Sequence, residues 1–273
     1  MRTMKPWLAV LVALAFATPA VAQLAVPDEA GIVYGHVHLN VSDIDEHERI
    51  WVEHFDATPF RKGRLRGVWM PGTLIAFTEQ TPTGGSLGSV MDHYGVKVRN
   101  TEAWLERWKA AGYTVDSEFT GAEGHHNAYV TLPDGVRVEL QEDQMLPVEI
   151  EAYHVHWFTP QFDEVLDWYG EMFGLERLPR GRIETTANVP GMNLSFGNTQ
   201  GEHAPSEGRA IDHVGFEVDD LRAVVDSLKA KGVTFDRDYT ELDELGLKVA
   251  FLTDPSGVRV ELTEGLDEYE GAR

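Results

Sequence analysis

The chain is predicted to be an α+β protein assembled from four copies of one unit: a strand, a helix, then about three strands. Three observations predict this. A strand pattern that opens on histidine recurs four times, each copy is followed by an amphipathic segment, and two of the copies end in nearly the same turn-and-strand sequence. The composition agrees: 273 residues, 42% hydrophobic and 10% aromatic, are enough for a packed core.

Residues 1–22 read as an export signal. Arg2 and Lys5 form a basic start, Trp7 to Phe16 an apolar stretch, and Ala20-Val21-Ala22 a small-residue cleavage site. The apolar stretch is short for a bilayer span and is broken by Thr18-Pro19, so cleavage and a periplasmic or secreted product are expected, with no membrane association afterwards. The complete absence of cysteine excludes a disulfide framework, a thiolate nucleophile and cysteine-ligated metal clusters. A formal charge of −22, with no basic run, argues against nucleic acid as a partner and leaves a small molecule as the expected one.

The four opening strands are Gly35-His36-Val37-His38-Leu39-Asn40-Val41, Asp92-His93-Tyr94-Gly95-Val96-Lys97-Val98, Tyr153-His154-Val155-His156-Trp157-Phe158 and Asp212-His213-Val214-Gly215-Phe216-Glu217-Val218. A helix should follow each. Its apolar stripe is Ile44, Trp51 and Phe55 in the first unit; Trp104, Trp108 and Ala111 in the second; Phe162, Val165, Leu166 and Tyr169 in the third; and Leu221, Val224, Val225 and Leu228 in the fourth. Gly112, Gly174 and Gly232 are placed to end the last three. The second and fourth units close with Pro-Asp-Gly and Pro-Ser-Gly turns leading into Val136-Arg137-Val138-Glu139-Leu140 and Val258-Arg259-Val260-Glu261-Leu262. The first and third close more briefly, in Gly72 to Phe77 and Gly191 to Phe196. The units fall at 33–80, 90–143, 152–200 and 210–265, and the near-equal spacing suggests a duplicated pair of domains, 31–143 and 150–265, joined near Gln144 to Pro147.

With these motifs, above all DHVGFEVDDL and DPSGVRVEL, the sequence resembles the vicinal oxygen chelate superfamily, which includes glyoxalase I, extradiol dioxygenases and bleomycin-resistance proteins. The resemblance implies that βαβββ modules pair into two cup-shaped mixed sheets with helices outside. Strand alternation then decides which side chains face the cups. Val258, Val260 and Leu262 pack under helices, so Glu261 and Arg259 face a cup, as do Glu139 and Arg137; the same parity turns His36 with His38, His154 with His156, His93, and His213 inward. Grouped by half, this gives His36, His93 and Glu139 in one cup and His154, His213 and Glu261 in the other. Two imidazoles and a carboxylate form a facial triad that suits Fe(II) best, then Mn(II), with Zn(II) compatible.

The resemblance implies a metal-dependent dioxygenase or lyase acting on a small substrate with adjacent oxygens, as a monomer or homodimer. Alternatives are a glyoxalase-like lyase and a metal-free binding protein of the bleomycin-resistance kind. A glyoxalase needs a fourth ligand where this chain has Ala76 and Ser195. A dioxygenase carries a tyrosine where Tyr129 precedes Glu139, the matching position before Glu261 being Phe251. His38 and His156 are candidates for proton transfer, their strand spacing of about 7 Å from the ligands being long for joint ligation. Arg137 and Arg259 could hold an anionic substrate group. His125 and His126 are expected at a cup rim or in an exposed loop, and His47, His54 and His203 at the surface.

Overall fold

A computed structural model describes residues 24–27, 31–199 and 203–266; the expected export signal and most of the acidic C-terminal run lie outside them. The first module comprises β1 (Ile32–Val41), α1 (Ile44–Phe55), β2 (Thr58–Lys62), β3 (Leu65–Met70) and β4 (Thr73–Glu79), and the second β5 (Met91–Val98), α2 (Thr101–Ala110), β6 (Ser117–Thr120), β7 (His126–Thr131) and β8 (Arg137–Glu142). The third is β9 (Ile150–Phe158), α3 (Phe162–Phe173), β10 (Thr186–Val189) and β11 (Met192–Gly197), and the fourth β12 (Ile211–Val218), α4 (Leu221–Ala230), β13 (Phe235–Leu242), β14 (Leu247–Thr253) and β15 (Arg259–Glu264).

The helices start and stop for local reasons. Asp43, Asn100 and Asp220 cap α1, α2 and α4 by accepting from the backbone N–H three residues on. Gly174 ends α3 in the left-handed region at φ 73°, where a Cβ would be strained. The third module departs from the expected three closing strands and keeps two. Pro179 has no N–H to offer a ladder and Gly181 turns the chain at φ 57°, so residues 177–183 form a tight turn held by isolated bridges rather than a strand.

The four modules pair across the halves, not within them. One sheet has eight strands in the order β13-β14-β15-β12-β1-β4-β3-β2, and so joins the first module to the fourth; the other has seven, β10-β11-β9-β5-β8-β7-β6, and joins the second to the third. The half-by-half grouping of 31–143 and 150–265 is therefore replaced by an outer pair and an inner pair. The seams are antiparallel, β1 against β12 and β5 against β9. Both sheets and all four helices share one apolar core that includes Trp51, Trp108, Trp157, Tyr169 and Phe216. A second, smaller apolar cluster sits on the inner face of the eight-stranded sheet and contains Phe60, Trp69, Leu74, Val249 and Phe251.

Two candidate metal centres of unequal access

Register at the two seams builds two clusters by the same rule. Across β1 and β12, His36 lies opposite Gly215 and His38 opposite His213; across β5 and β9, His154 lies opposite Gly95 and His156 opposite His93. Each glycine makes room for the ring that faces it. A Cβ on Gly215 would stand 2.0 Å from the His36 ring, and one on Gly95 2.1 Å from that of His154. The carboxylates arrive from the neighbouring strands, Glu261 beside Gly215 and Glu139 beside Gly95.

The structure thus brings together His36, His213 and Glu261 in the outer pair, and His93, His154 and Glu139 in the inner pair, which corrects the grouping by halves. In the outer bowl the Nε2 atoms of His36 and His213 lie 2.9 and 3.0 Å from Glu261 Oε2. In the inner bowl those of His93 and His154 lie 2.8 and 3.2 Å from Glu139 Oε2, and 3.3 Å from each other. Ligands at right angles about 2.1 Å from one ion would be about 3.0 Å apart, so these donor sets fit a divalent metal on three adjacent positions. The imidazoles are also aimed as ligands. His93 and His213 bond through Nδ1 to Asp92 and Asp212 at 2.7 and 2.5 Å, which fixes the rings with Nε2 inward. His36 Nδ1 and His154 Nδ1 are buried without a hydrogen-bond partner.

His38 and His156 come closer than strand spacing implied. One ring nitrogen of each joins its cluster, all four ligand atoms lying within 4.8 Å of one another. His38 Nε2 is 2.8 Å from Thr78 Oγ1, and its ring lies over that of His213 with centroids 4.5 Å apart.

Burial and pairing pull these groups in opposite directions. Burial alone would raise the Glu261 and Glu139 carboxyls, yet the hydrogen bonds from their paired histidines hold both well below the usual carboxylate range. Burial lowers His36, while at His213 and His93 the bonds to Asp and Glu outweigh burial and raise the imidazole. His154 is pushed down to about 4 by burial and by the nearby Arg180.

The remaining expected residues divide between the bowls. Tyr129 donates to Glu139 Oε2 at 3.3 Å and so belongs to the inner bowl; Phe251, paired with Glu261, takes its place in the outer one. Arg137 is committed to Asp92 at 2.6 Å and lies over the Tyr129 ring. Arg259 lies over Phe251, bonds Glu207 at 3.2 Å and faces the outer cavity. His126 pairs with Glu118 at the sheet edge. His47, expected at the surface, is fully buried beside Asp134, because it falls on the inward face of α1 with Ile44 and Trp51.

Access separates the two centres. The outer triad lies in a cavity of about 460 Å³ with Leu65, Leu245, Leu247, Val249 and Phe251 on its wall and Arg64, Arg237 and Arg259 among its polar lining. The hairpin turns at its edges meet above it, Gly63 against Leu245. In the inner bowl the corresponding space is taken by the Arg180 side chain, only 7% exposed, with Nε on Ser195 Oγ at 3.2 Å and Nη1 on Glu123 and Gln141 at 3.2 and 3.3 Å.

The Glyoxalase/Bleomycin resistance protein/Dioxygenase superfamily profile matches residues 33–140 and 152–262. The chain belongs to this superfamily. A 4-hydroxyphenylpyruvate dioxygenase of Caenorhabditis briggsae is 30% identical over 115 residues, which cover 37% of this chain and 29% of that protein. Glyoxalase I from Zea mays shares the fold at a TM-score of 0.66 and 18% identity, over 87% of this chain and 94% of that one. A putative dioxygenase from Bacillus subtilis does so at 0.63 and 13% identity, over 89% and 86%.

Two predictions follow from this geometry. Gly215→Ala should displace the His36 ring and so lower divalent-metal uptake by the outer cluster without affecting that of the inner one, read as metal bound per chain after reconstitution; unchanged uptake would contradict the cradle. His154 has a folded pKa below its unfolded value, so its contribution to stability is complete above about 6.5 and is lost as pH falls to its folded value. The depressed Glu139 adds to that loss below about 4.3. His93 and His213, raised in the fold, work in the opposite sense above about 6.5 and add nothing further below it, so the thermal midpoint of metal-free protein should fall from about pH 6 to pH 4, and a flat profile there would contradict it.

Proposed function

We propose that the outer bowl is the active centre of an exported metal-dependent enzyme, a dioxygenase of the superfamily, that acts on a small anionic molecule carrying two adjacent oxygens. One observation carries the reading: two imidazole nitrogens and one carboxylate oxygen converge in a cavity with an apolar wall and arginines in its lining. His36, His213 and Glu261 would hold the ion, Fe(II) before Mn(II) or Zn(II), leaving coordination positions open. The metal would supply Lewis acidity and, as iron, redox chemistry toward dioxygen.

The chain's own groups divide the remaining work. The apolar wall strips water from the substrate's body, which strengthens every electrostatic contact inside. Arg259 holds the anionic end, joined at the lining by Arg64 and Arg237, neither of which has an acidic partner closer than 4 Å among the described residues. His38, tied to Thr78, stands beside the triad where a proton must be accepted or returned. The likeness to a 4-hydroxyphenylpyruvate dioxygenase supports oxygen chemistry, and Ala76, which supplies no donor at the glyoxalase fourth-ligand position, weighs against that reaction. A lyase remains the second reading on one observation, the His38 nitrogen within reach of a fourth position.

Anaerobic reconstitution with Fe(II), followed by oxygen uptake on catechols and arylpyruvates, tests the proposal. Turnover is expected with a member of one of these classes, and His213→Ala or Glu261→Gln should lower kcat/KM by about 100-fold or more. Turnover that survives both substitutions, or a protein that takes up no Fe, Mn or Zn, would overturn it, the latter in favour of a metal-free binding protein.

A further inference from the structure

Equivalent positions in the two bowls carry opposite chemistry. Counted from the strand register, Leu74 and Ala76 of the outer bowl correspond to Asn193 and Ser195 of the inner one, and Val249 corresponds to Asn127. Where the outer bowl is apolar the inner one is polar, and most of its members bond one another, although Asn127 Oδ1 and Gln141 Nε2 are buried without a hydrogen-bond partner. Asn127 donates to Glu139 Oε1 at 2.6 Å, Ser195 to Asn193 at 2.8 Å, and Arg180 to Ser195 and Gln141. Glu123 offsets the Arg180 charge.

The turn that carries Arg180 is locked across the mouth. Arg182 donates from its backbone to Ala122 O at 3.1 Å and from its guanidinium to Gly121 O at 3.1 Å. A Cβ on Gly181 would lie 2.5 Å from Ala122 O, so the two edges of the seven-stranded sheet are closed on each other. Beneath this lid the ligand set is more completely buried than in the outer bowl, with His93 and His154 at 0% exposure. Asn127 and Tyr129 orient Glu139 from two sides, and Asp92, itself held by Arg137, orients His93. His156 adds a buried ring nitrogen with no hydrogen-bond partner.

We infer that the inner bowl is a closed divalent-cation site with a structural task, in which His93, His154, Glu139 and His156 hold the ion and Arg180 occupies the space that a substrate would need. Catalytic metal sites keep a position open to solvent or substrate, whereas structural ones fill their coordination from the protein and exclude both. The duplicated fold has divided its two centres along that line. The ion would knit the second module to the third, because His93 and Glu139 come from one and His154 and His156 from the other.

The full chain loaded with Zn(II) and challenged with a chromophoric chelator tests this. Release should be biphasic, with one equivalent per chain lost promptly and a second at least roughly tenfold more slowly, since a buried site must open before it yields its ion. His93→Ala should abolish the slow phase, lower the thermal midpoint and leave the fast phase in place. Arg180→Ala should retain both equivalents but bring the slow one close to the fast rate, which keeps the test valid if His93→Ala fails to fold. A single equivalent untouched by His93→Ala would overturn the inference and leave Arg180 as the bowl's own cation; so would a slow phase unchanged by Arg180→Ala. Failure of the catalytic proposal would instead appear in the fast phase, as turnover that persists after His213→Ala has removed that ion.

Discussion

The antiparallel seam between β1 and β12 is the constraint on which the molecule depends. It sets His36 across from Gly215 and brings its Nε2 within 2.9 Å of a carboxylate 225 residues further along the chain. The seam between β5 and β9 repeats the geometry near the middle of the sequence. Because each sheet is completed by modules from both halves, neither half owns a complete ligand set. Closing the long connection from β1 to β12 costs only slowly increasing entropy, since loop closure grows with the logarithm of length. The shared core beneath both sheets offsets that cost.

Duplication gave the protein two versions of one site, and the differences between them are chemical rather than architectural. Both keep a histidine oriented by the preceding aspartate, a histidine seated over a glycine, and a glutamate from the adjoining strand. What changed is the surround. An apolar lining in the outer bowl leaves space, because such side chains need no partners. A polar lining needs partners once buried, and Arg180 supplies donors to Ser195, Glu123 and Gln141 in the inner bowl. A buried guanidinium with five N–H donors is a demanding group, so a bowl built around it cannot at the same time be a vacant pocket.

Much of this was legible in the sequence. Alternation in β1, β5, β8, β9, β12 and β15 is strict enough that the inward set of histidines and glutamates could be read residue by residue. The pairing of modules was not legible. The four units are spaced almost evenly, so either pairing satisfies the same repeat, and the choice rests on tertiary packing that no local pattern encodes. Gly95 and Gly215 were visible as repeat positions, but their role follows only from knowing which ring lies opposite. The Asp-His pairs at Asp92-His93 and Asp212-His213 carried a readable signal of orientation by the preceding carboxylate. Arg180 carried none: it stands in a stretch where Pro179 and Gly181 break the strand pattern, and its burial depends on contacts with the β6–β7 turn. His47 was legible: three residues after Ile44 and four before Trp51, it lies on the apolar stripe of α1, and it was misplaced because its polarity was weighed above its position.

The composition of each ligand set across the two halves can be tested by combining substitutions and counting metal. With one ion bound in each bowl, His36→Ala and Glu261→Gln should each remove one equivalent, and the double variant should remove no more than either alone, because both side chains serve the same ion. Loss of two equivalents in the double variant would mean that His36 and Glu261 belong to different sites, and the pairing of the first module with the fourth would be contradicted.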